Sequence, residues 1–394
     1  MDGPFGKAKA ILTTLHNHGY EAYFVGGSVR DYLLNRPIGD IDIATSALPE
    51  QIMNIFPKTI DVGVIHGTVV VLHKDEQFEV TTFRTEEGYE DYRRPSHVEF
   101  VKSLHEDLKR RDFTMNAIAM TIDGDIIDPF GGKKAIEEKR IQTVGDPNER
   151  FHEDALRMMR AVRFVSQLPF LLCQETQSAI TNNAPLLKKI SVERITIEFE
   201  KLLSGPNCHV AFPILAETNL LQYMPGLENE KKNVKCFSAY KWNELKDRAE
   251  YWTLVSYLLK KDDLKTFLRQ WKLPNKIIEQ VVKNIGCLEN VLNNGWNKQL
   301  LYDCGESCIK HVEKILGVLG IKQEISLYEE YCKLPIKHRS DLKITGADLL
   351  QWYKQSPGKW VSQLLEKVEN SILENKVENN KEKIKEWLLS CNQK

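Results

Sequence analysis

The sequence predicts an α+β protein in which strands are confined to the first part of the chain and helices fill the rest. Strand-like runs such as Gly67–His73 and Gln77–Arg84 occur only before residue 146 and are bounded by turn residues. From about Asp146 to the end, apolar residues recur at helical spacing between breaks at Gly and Pro. With 394 residues, the chain is long enough for several domains and a sizeable core.

The composition is typical of an ordinary soluble protein. The chain is 42% hydrophobic and 28% charged, and its net charge is −1. An RNA partner would therefore have to be bound by local basic patches rather than by a globally basic surface. No apolar run resembles a signal peptide or reaches membrane-spanning length, so we expect no membrane association.

The cysteine pattern indicates a reducing compartment. All eight cysteines lie beyond residue 172, and none forms a C-x-x-C pair. We expect scattered reduced thiols in a cytoplasmic protein, rather than a disulfide framework or a zinc site.

The chain opens with a helix, a strand and a glycine turn. Residues 4–19 have helical apolar spacing, and Tyr23–Val25 reads as a buried strand. Gly26 and Gly27 follow and lead into a short helical segment, where backbone N–H groups can approach a phosphate closely. Arg30 in that segment adds a guanidinium suited to phosphate oxygens.

Two aspartates follow on a second predicted strand, Asp40–Ile43. Side chains two apart on a strand share a face, so Asp40 and Asp42 would place two carboxylates side by side. Such carboxylates repel each other unless a cation lies between them, and paired oxygen ligands suit Mg²⁺. The sequence therefore predicts a magnesium site near the glycine turn.

Glu79 and the segment after it each leave two interpretations open. Glu79 lies between apolar residues on a predicted strand, where it either points to solvent or adds a third carboxylate to the metal site. Residues 85–97 are charged and lack periodicity, which predicts a loop. That loop is either a plain connector or a lid or lever beside the site.

Arginines and an aspartate follow at residues 110–112. Leu104, Leu108 and Phe113 predict a helical apolar stripe, and Arg111 lies off it with its neighbours. This face is either an exposed salt-bridged surface or a source of guanidinium near a triphosphate. The later Gly-Gly-Lys-Lys at 131–134 lacks the P-loop spacing and predicts a turn before a helix.

Charged residues recur at three-residue steps along a predicted helix over residues 150–168. They are Glu153, Asp154, Arg157, Arg160 and Arg163. Such a set is commonly a salt-bridge ladder within one helix. The alternative is base recognition, because a carboxylate and a guanidinium together match the amino group and ring nitrogen that cytosine and adenine both present. Uracil and guanine present the reverse pattern, so the same pair would reject them.

The remaining chain is predicted to be helical. A helix over 191–203 offers Glu198 to brace the preceding helix. Near the end, Thr345 to Asp348 predicts a capped helix start, and Lys359 lies at another. These starts are either ordinary caps or sites for RNA phosphates.

Four blocks of this sequence resemble one family in order. They read VGGSVRD with GDIDIAT, then RRDFTMNAIA, then DPFGGKKAIEEKRIQTVGDPNERFHEDALRMMRAVRF, then SVERITIEFEKLLSG. The chain is similar to the bacterial class II tRNA nucleotidyltransferases, the CCA-adding family within the polymerase β-like nucleotidyltransferase superfamily. The resemblance is dense over residues 20–205 and weaker after them.

The resemblance implies a polymerase-like head with a mixed sheet, followed by an elongated, all-helical neck, body and tail. We place the catalytic head at 1–145, the base-recognising neck at 146–205, the body at 206–295 and the tRNA-binding tail at 296–394. It also implies a homodimer.

The resemblance assigns roles to residues already singled out. Asp40 and Asp42 would hold Mg²⁺, with Glu79 as a third catalytic carboxylate. The residues expected to bind ATP and CTP are Gly27, Arg30, Arg111, Asp154, Arg157, Arg160 and Arg163. The implied reaction adds C, C and A stepwise to the 3′ end of tRNA and releases pyrophosphate each time. The loop at 85–97 would be the lever that switches the pocket from C to A.

Other functions remain compatible with these motifs. An A-adding enzyme or a bacterial poly(A) polymerase would share the same blocks. A regulatory RNA-binding protein with an inactive head is disfavoured by the intact Asp40, Asp42 and Glu79. A nucleotidyltransferase for a small molecule or a protein fits the long helical half less well than one for a large, elongated substrate.

Overall fold

The computed structural model describes residues 4–63, 67–74, 76–90 and 94–391. They form two compact units, residues 1–239 and residues 240–394. All strands of the described ranges lie in the first unit, and the second unit contains helices. The predicted α+β architecture with a largely helical remainder is therefore confirmed.

The first unit alternates strands and helices before it becomes mainly helical. Its elements are α1 (Pro4–Asn17), β1 (Ala22–Val25), α2 (Gly27–Leu33), β2 (Asp42–Thr45), α3 (Pro49–Ile55), β3 (Thr59–Gly63), β4 (Thr68–His73), β5 (Glu76–Thr82), β6 (Arg84–Glu90), β7 (Arg94–Phe100), α4 (Leu104–Lys109), β8 (Ala119–Met120), β9 (Ile126–Ile127), α5 (Gly132–Glu137), β10 (Arg140–Ile141), α6 (Pro147–Glu153), α7 (Leu156–Gln167), β11 (Leu171–Leu172), α8 (Gln174–Asn183), α9 (Val192–Leu203), α10 (Cys208–Glu217) and α11 (Lys231–Cys236).

A seven-stranded mixed sheet forms the centre of the first unit. Its strand order is β3-β4-β5-β2-β1-β8-β9, with β2 parallel to β5 and the other neighbours antiparallel. Phe24, Ile43 and Val80 are fully buried on three adjacent strands. The parallel register pairs Asp42 with Glu79, so these two residues lie side by side on neighbouring strands.

The acidic strand is shorter than predicted. β2 begins at Asp42, and Asp40 lies in a bend before it. β1 ends at Val25, the partner of Asp42, because Gly26 takes a positive φ of 72° and turns the chain away. Asp40 therefore approaches Asp42 from a loop, and strand alternation is the wrong reason for their proximity.

The segment predicted as a loop over 85–97 is mostly a β-hairpin. β6 and β7 pair antiparallel from Arg84 with Phe100 to Glu90 with Arg94, and residues 91–93 lie outside the described residues. The prediction was wrong because a polar two-stranded ribbon has no apolar alternation to reveal it.

One predicted helix ends earlier than expected, and another is broken in two. α4 stops at Lys109, and Phe113 instead forms an isolated bridge with Thr143, so Arg110 and Arg111 lie in the following turn. The helix predicted over 150–168 is two helices, because Asp154 is extended, with φ −138° and ψ 102°. Its carboxylate accepts from the Leu156 N–H at 3.1 Å, an alternative to helical bonding that aspartate readily adopts.

One short strand interrupts the region predicted to be all helical. β11 pairs parallel with β10, from Arg140 with Leu171 to Ile141 with Leu172. Two residues are too few to give a periodic signal, so the sequence could not reveal this strand.

The second unit packs eight helices from its described residues. They are α12 (Arg248–Leu259), α13 (Leu264–Gln270), α14 (Asn275–Asn294), α15 (Lys298–Val318), α16 (Leu327–Cys332), α17 (Gly346–Tyr353), α18 (Lys359–Leu373) and α19 (Lys381–Cys391). Thr345 and Asp348 form the predicted capping box at the start of α17. Within the described ranges, no helix combines the length and the apolar character needed to cross a membrane.

The cysteines are not uniformly scattered in space. Those with described side chains are free thiols, but Cys287, Cys304 and Cys308 converge in the second unit. The linear spacing hid this cluster, because two helices bring its members together.

Candidate active site

The largest concentration of predicted site residues surrounds a cavity in the first unit. Its volume is about 570 Å³, within the usual range for small-molecule sites. Its lining consists of Gly26, Gly27, Arg30, Asp42, Arg84, Arg110, Arg111, Asp112, Asn116, Asp154, Leu156, Arg157, Arg160, Arg163, Phe164 and Arg194. Eight arginines against three aspartates give the cavity an excess of positive charge that suits a polyanion.

The structure brings the predicted site residues together. Eight of the ten line this cavity. The other two, Asp40 and Glu79, lie close enough to Asp42 to act on its ionisation. Burial raises the pKa of Asp42 to about 6, with the charges of Glu79 and Asp40 adding to the rise and Arg111 opposing it. Carboxylates that oppose one another in this way form a donor set that suits a hard divalent cation.

The glycine turn lies against this acidic cluster. A Cβ at Gly26 would lie 3.0 Å from Arg111 Nη1 and 3.5 Å from Asp42 Oδ2, so a side chain there would crowd the cavity. Its φ of +72° further disfavours any other residue. Gly27 begins α2, where the first N–H groups of a helix are free to meet an anion. The sequence had placed both glycines in a phosphate-binding turn, and the family resemblance had named Gly27 as the nucleotide-binding residue.

Buried aspartates hold the arginines nearest this turn. Asp107 is fully buried and accepts from Arg110 at 2.7 Å and from Arg111 at 3.0 Å. Burial alone would raise the pKa of Asp107, but the two arginine charges hold it below the usual value. Arg111 is thus fixed with its other nitrogen, Nη1, beside Gly26.

A second network holds Arg30 and Arg160. Arg30 donates to Asn116 Oδ1 at 2.7 Å, and Asn116 donates to Asp112 at 3.1 Å. Asp112 also accepts from Arg160 Nε at 2.8 Å. Although burial opposes its ionisation, Arg160 and Asn116 lower the pKa of Asp112 to about 2.

Two of the three arginines of α7 have ion-pair partners on distant elements, so the predicted salt-bridge ladder is wrong for Arg160 and Arg163, whereas Arg157 pairs with Glu153 four residues before it. Arg160 pairs with Asp112, which lies between α4 and β8. Arg163 pairs with Glu198 on α9, the residue that the sequence predicted to brace this helix. Arg163 also lies over the Phe164 ring, 4.0 Å from its centroid. These contacts fix the α7 face that lines the cavity.

Asp154 and Arg157 are each held by a further charged residue. Asp154 accepts from Arg194 on α9, at 2.7 Å to Oδ2 and 3.3 Å to Oδ1. Arg157 pairs with Glu153 and donates to the Arg110 carbonyl at 3.0 Å. Because the chain breaks at Asp154, the carboxylate and the guanidinium are positioned by two different helices rather than by one.

Sequence reasoning missed several lining residues. Arg84, Asn116, Phe164 and Arg194 all line the cavity but had no predicted site role. Arg84 had been noted only as the end of a strand, and Arg194 lies inside the helix predicted over 191–203. Neither has a local pattern that signals its place in the cavity, because the contact of Arg194 with Asp154 and the approach of Arg84 to the cavity both depend on the tertiary fold.

Family models match most of the chain. A model described as the poly A polymerase head domain matches residues 22–142, and a model of an RNA- and SrmB-binding site of polymerase A matches residues 170–231. A model of tRNA nucleotidyltransferase domain 2 matches residues 243–388.

Full-length relatives and solved structures agree with these matches. The CCA-adding enzyme of Geobacillus sp. (strain WCH70) is 50% identical over 397 residues, which covers 100% of this chain and 98% of the relative. The crystal structure of the Bacillus stearothermophilus CCA-adding enzyme in complex with CTP superposes with a TM-score of 0.94 at 48% identity, covering 100% of this chain and 98% of the other. A Thermotoga maritima CCA-adding enzyme complexed with tRNA shares the fold, with a TM-score of 0.64 at 20% identity.

Sequence identity near one half over the whole length and a shared fold thus agree with the arginine-rich cavity and its adjacent carboxylates, and the chain belongs to the family of CCA-adding enzymes.

Proposed function

We propose that the arginine-lined cavity binds CTP and ATP in turn and that the chain adds C, C and A to the 3′ end of tRNA without a nucleic-acid template. The observation that carries this is the juxtaposition, in one cavity, of eight arginines with Asp42, whose carboxylate lies close enough to Glu79 and Asp40 to feel their charges. A triphosphate needs positive charge along its length and a metal at its reacting end. Each addition releases pyrophosphate.

The metal end of the site is formed by the carboxylates. Asp40 and Asp42 would hold Mg²⁺, with Glu79 beside them on β5. Bound Mg²⁺ supplies activation of the attacking 3′-hydroxyl and charge neutralisation at the leaving pyrophosphate. The raised pKa of Asp42 supports this role, since burial and the charges of Glu79 and Asp40 oppose the ionisation of a carboxylate that a bound cation would stabilise.

The phosphate end is formed by the glycine turn and the held arginines. The Gly27 N–H at the start of α2 would donate to the triphosphate, and Arg30 and Arg111 would contribute guanidinium groups. Buried partners fix both arginines before a nucleotide arrives, so little ordering is needed at the moment of binding.

The base end is formed by Asp154 and Arg157. The Asp154 carboxylate would accept from the amino group of cytosine or adenine, and Arg157 would donate to the adjacent ring nitrogen. Their contacts with Arg194 and Glu153 would keep the two groups at the spacing of one base edge. UTP and GTP would leave both groups mispaired in a closed site.

The hairpin of β6 and β7 is the proposed lever for the change from C to A. Arg84 is the first residue of β6 and also lines the cavity, so a shift of the hairpin would reach the bound nucleotide. The proposed division into head, neck, body and tail places the helices after residue 205 along the tRNA. The cytoplasmic location and the homodimer stay predictions. Sedimentation of the purified chain would test the homodimer.

One experiment separates this function from its rivals. Three tRNA transcripts, ending at the discriminator base, at −C and at −CC, are incubated with Mg²⁺ and either CTP or ATP, or with both. We expect all three to reach a clean CCA end with both nucleotides. Addition of A to the −CC transcript alone would indicate an A-adding enzyme, and long A tracts on any RNA would indicate a poly(A) polymerase. No incorporation would favour an inactive head that only binds RNA.

A further inference from the structure

Three buried thiols meet in the second unit, in a place that the nucleotidyl-transfer chemistry does not use. Cys287 lies on α14, and Cys304 and Cys308 lie on α15. Their exposed fractions are 2%, 7% and 1%, and the three sulfur atoms lie within 4.8 Å of one another. Residues in such a cluster could ligate one ion at their centre.

The backbone around the cluster is specialised. Cys304 and Cys308 are four residues apart on α15 and lie on either side of a break in its helical backbone. Gly305 between them leaves the helical conformation with φ 69° and ψ 171°, which kinks α15 at the cluster. An L-residue is strained at that φ, so glycine is the residue that permits this kink.

Contacts between the two helices hold the thiols in place. The Cys308 thiol donates to the Lys283 carbonyl of α14 at 3.7 Å. The neighbouring Asn284 is fully buried, donates to Thr253 Oγ1 at 2.9 Å, and lies 3.2 Å from His311 Nδ1 on α15. Residues on both sides of the cluster are therefore fixed, so the three sulfurs are preorganised relative to one another.

The number and type of ligands select among metals. Structural zinc sites use four ligands, and iron–sulfur clusters use four thiolates. Among the described side chains, no fourth cysteine, histidine or carboxylate shares the 4.8 Å cluster. Thiolates favour soft metal ions. Three buried thiolates without a fourth ligand therefore suit a soft ion that accepts three-fold coordination.

We propose that Cys287, Cys304 and Cys308 form a three-thiolate binding site for Cu(I). Three thiols lose three protons as they bind one Cu(I), and the resulting complex carries two negative charges. Lys283 lies close enough to offset part of that charge, since its Nζ is 3.9 Å from the position that a Cβ on Gly305 would take. The site belongs to the second unit alone and is separate from the nucleotide cavity.

The first test uses the reduced full-length chain under anaerobic conditions. Cu(I) is delivered as its complex with bathocuproine disulfonate, a coloured chelator that competes for the ion. We expect one equivalent to transfer to the protein, with an ultraviolet thiolate-to-copper absorption and release of three protons. X-ray absorption of that sample is expected to show three sulfur neighbours. Copper that stays with the chelator, or that binds with nitrogen or two sulfur ligands, would overturn the proposal.

Matched variants locate the bound ion. Cys304→Ser and Cys308→Ser are expected to weaken Cu(I) binding by more than about 100-fold, beyond the effect of losing an outer-shell contact. The control replaces the exposed thiols, Cys236→Ser with Cys332→Ser, and should bind as the parent does. Equal loss in both sets would place the ion elsewhere and contradict the site. Circular dichroism and CTP incorporation check that each variant is folded. If a variant of a buried cysteine does not fold, the absorption spectrum of the parent protein with Cu(I) decides whether the thiolates bind the ion.

Discussion

At the residue scale, the fold shifts the pKa values of two aspartates that line the site in opposite directions. Burial raises the pKa of Asp42 to about 6, and the neighbouring carboxylates of Glu79 and Asp40 add to the rise. Asp112 is held among cationic and amide donors, which lower its pKa to about 2. The first arrangement fits a residue that awaits a cation, and the second fits a residue that positions an arginine. The two aspartates therefore make opposite contributions to stability.

Asp42→Asn should abolish incorporation of both nucleotides but stabilise the metal-free protein. With a folded pKa near 6, Asp42 destabilises the fold as pH rises from about 4 to 6, so its removal should add about 1–3 kcal/mol at pH 7. Thermal unfolding in EDTA, beside a primer-extension assay in Mg²⁺, measures both effects. The exposed Asp123→Asn is the control. Retained activity would remove Asp42 from the metal site.

Asp112→Asn should lower stability at neutral pH. A folded pKa near 2 means that ionised Asp112 contributes about 2 kcal/mol above pH 4, and this contribution is lost as pH falls toward 2. The difference in unfolding free energy between parent and variant should therefore shrink over that window. Urea unfolding at a series of pH values checks this, with Asp123→Asn again expected to follow the parent. A constant difference would mean that the Arg160 pair does not set the pKa.

Replacing both Asp154 and Arg157 by Ala should relax the selection against UTP and GTP. The ratio of kcat/KM for CTP to that for UTP should fall by about 100-fold, since mispaired polar groups in a closed site are the source of such discrimination. A matched control removes the exposed Glu138–Arg140 pair, whose atoms are 3.4 Å apart. Unchanged selectivity in the Asp154 and Arg157 variant would make that pair structural only.

At the element scale, breaks between helices and pairings between strands determine which side chains of the site meet. The break at Asp154 lets α6 present Glu153 to Arg157, while α9 presents Arg194 to Asp154. The parallel pairing of β2 with β5 sets Glu79 beside Asp42. The β6–β7 hairpin carries Arg84 at its base, where it lines the cavity. The Arg194–Asp154 and Glu79–Asp42 pairs join elements that are distant in sequence, whereas Glu153 and Arg157 are only four residues apart.

Shortening the hairpin should separate C addition from A addition. Glu87 and His97 are register partners, so residues 88–96 can be replaced by Asn-Gly without changing the pairing below them. We expect CTP incorporation within a few-fold of the parent, and ATP incorporation on a −CC transcript reduced by at least about 10-fold, the effect of losing about 1.4 kcal/mol of positioning. Equal loss of both activities would exclude the hairpin as the lever.

At the scale of the whole molecule, the nucleotide site and the long helical part are separable. Every residue that lines the nucleotide cavity belongs to residues 1–239. The chain has a net charge of −1, so its affinity for tRNA depends on where its basic residues lie rather than on their excess.

A fragment of residues 1–239 should therefore bind CTP with a dissociation constant within about 3-fold of the full chain, a difference below 1 kcal/mol. Its KM for tRNA should rise by at least about 10-fold, because the proposed tRNA-binding helices are missing. Calorimetry with CTP and a primer-extension titration with tRNA measure the two constants. An unchanged KM for tRNA would place the tRNA contacts within the first unit.

The sequence alone determined the α+β class, four strands of the sheet (β1, β2, β4 and β5), and eight residues that line the cavity. It could do so because burial imposes a period of two on strands and 3.6 on helices, and because glycine, aspartate and arginine have distinctive chemistry at short spacing. Local patterns of this kind can be recognised without knowing how distant parts of the chain pack. The prediction of a helix stripe through Phe113 was wrong because its bridge to Thr143 is not local.

Only the tertiary structure decided which charges meet. Arg194 reaches Asp154 across 40 residues, Arg160 reaches Asp112 across 48, and Cys287 joins Cys304 and Cys308 from another helix. No periodicity records such contacts, because an ion pair or a thiol cluster depends on how helices pack and not on the spacing within either one. The sequence thus specified the residues of the site, and the packing of helices and strands specified which of these residues contact one another.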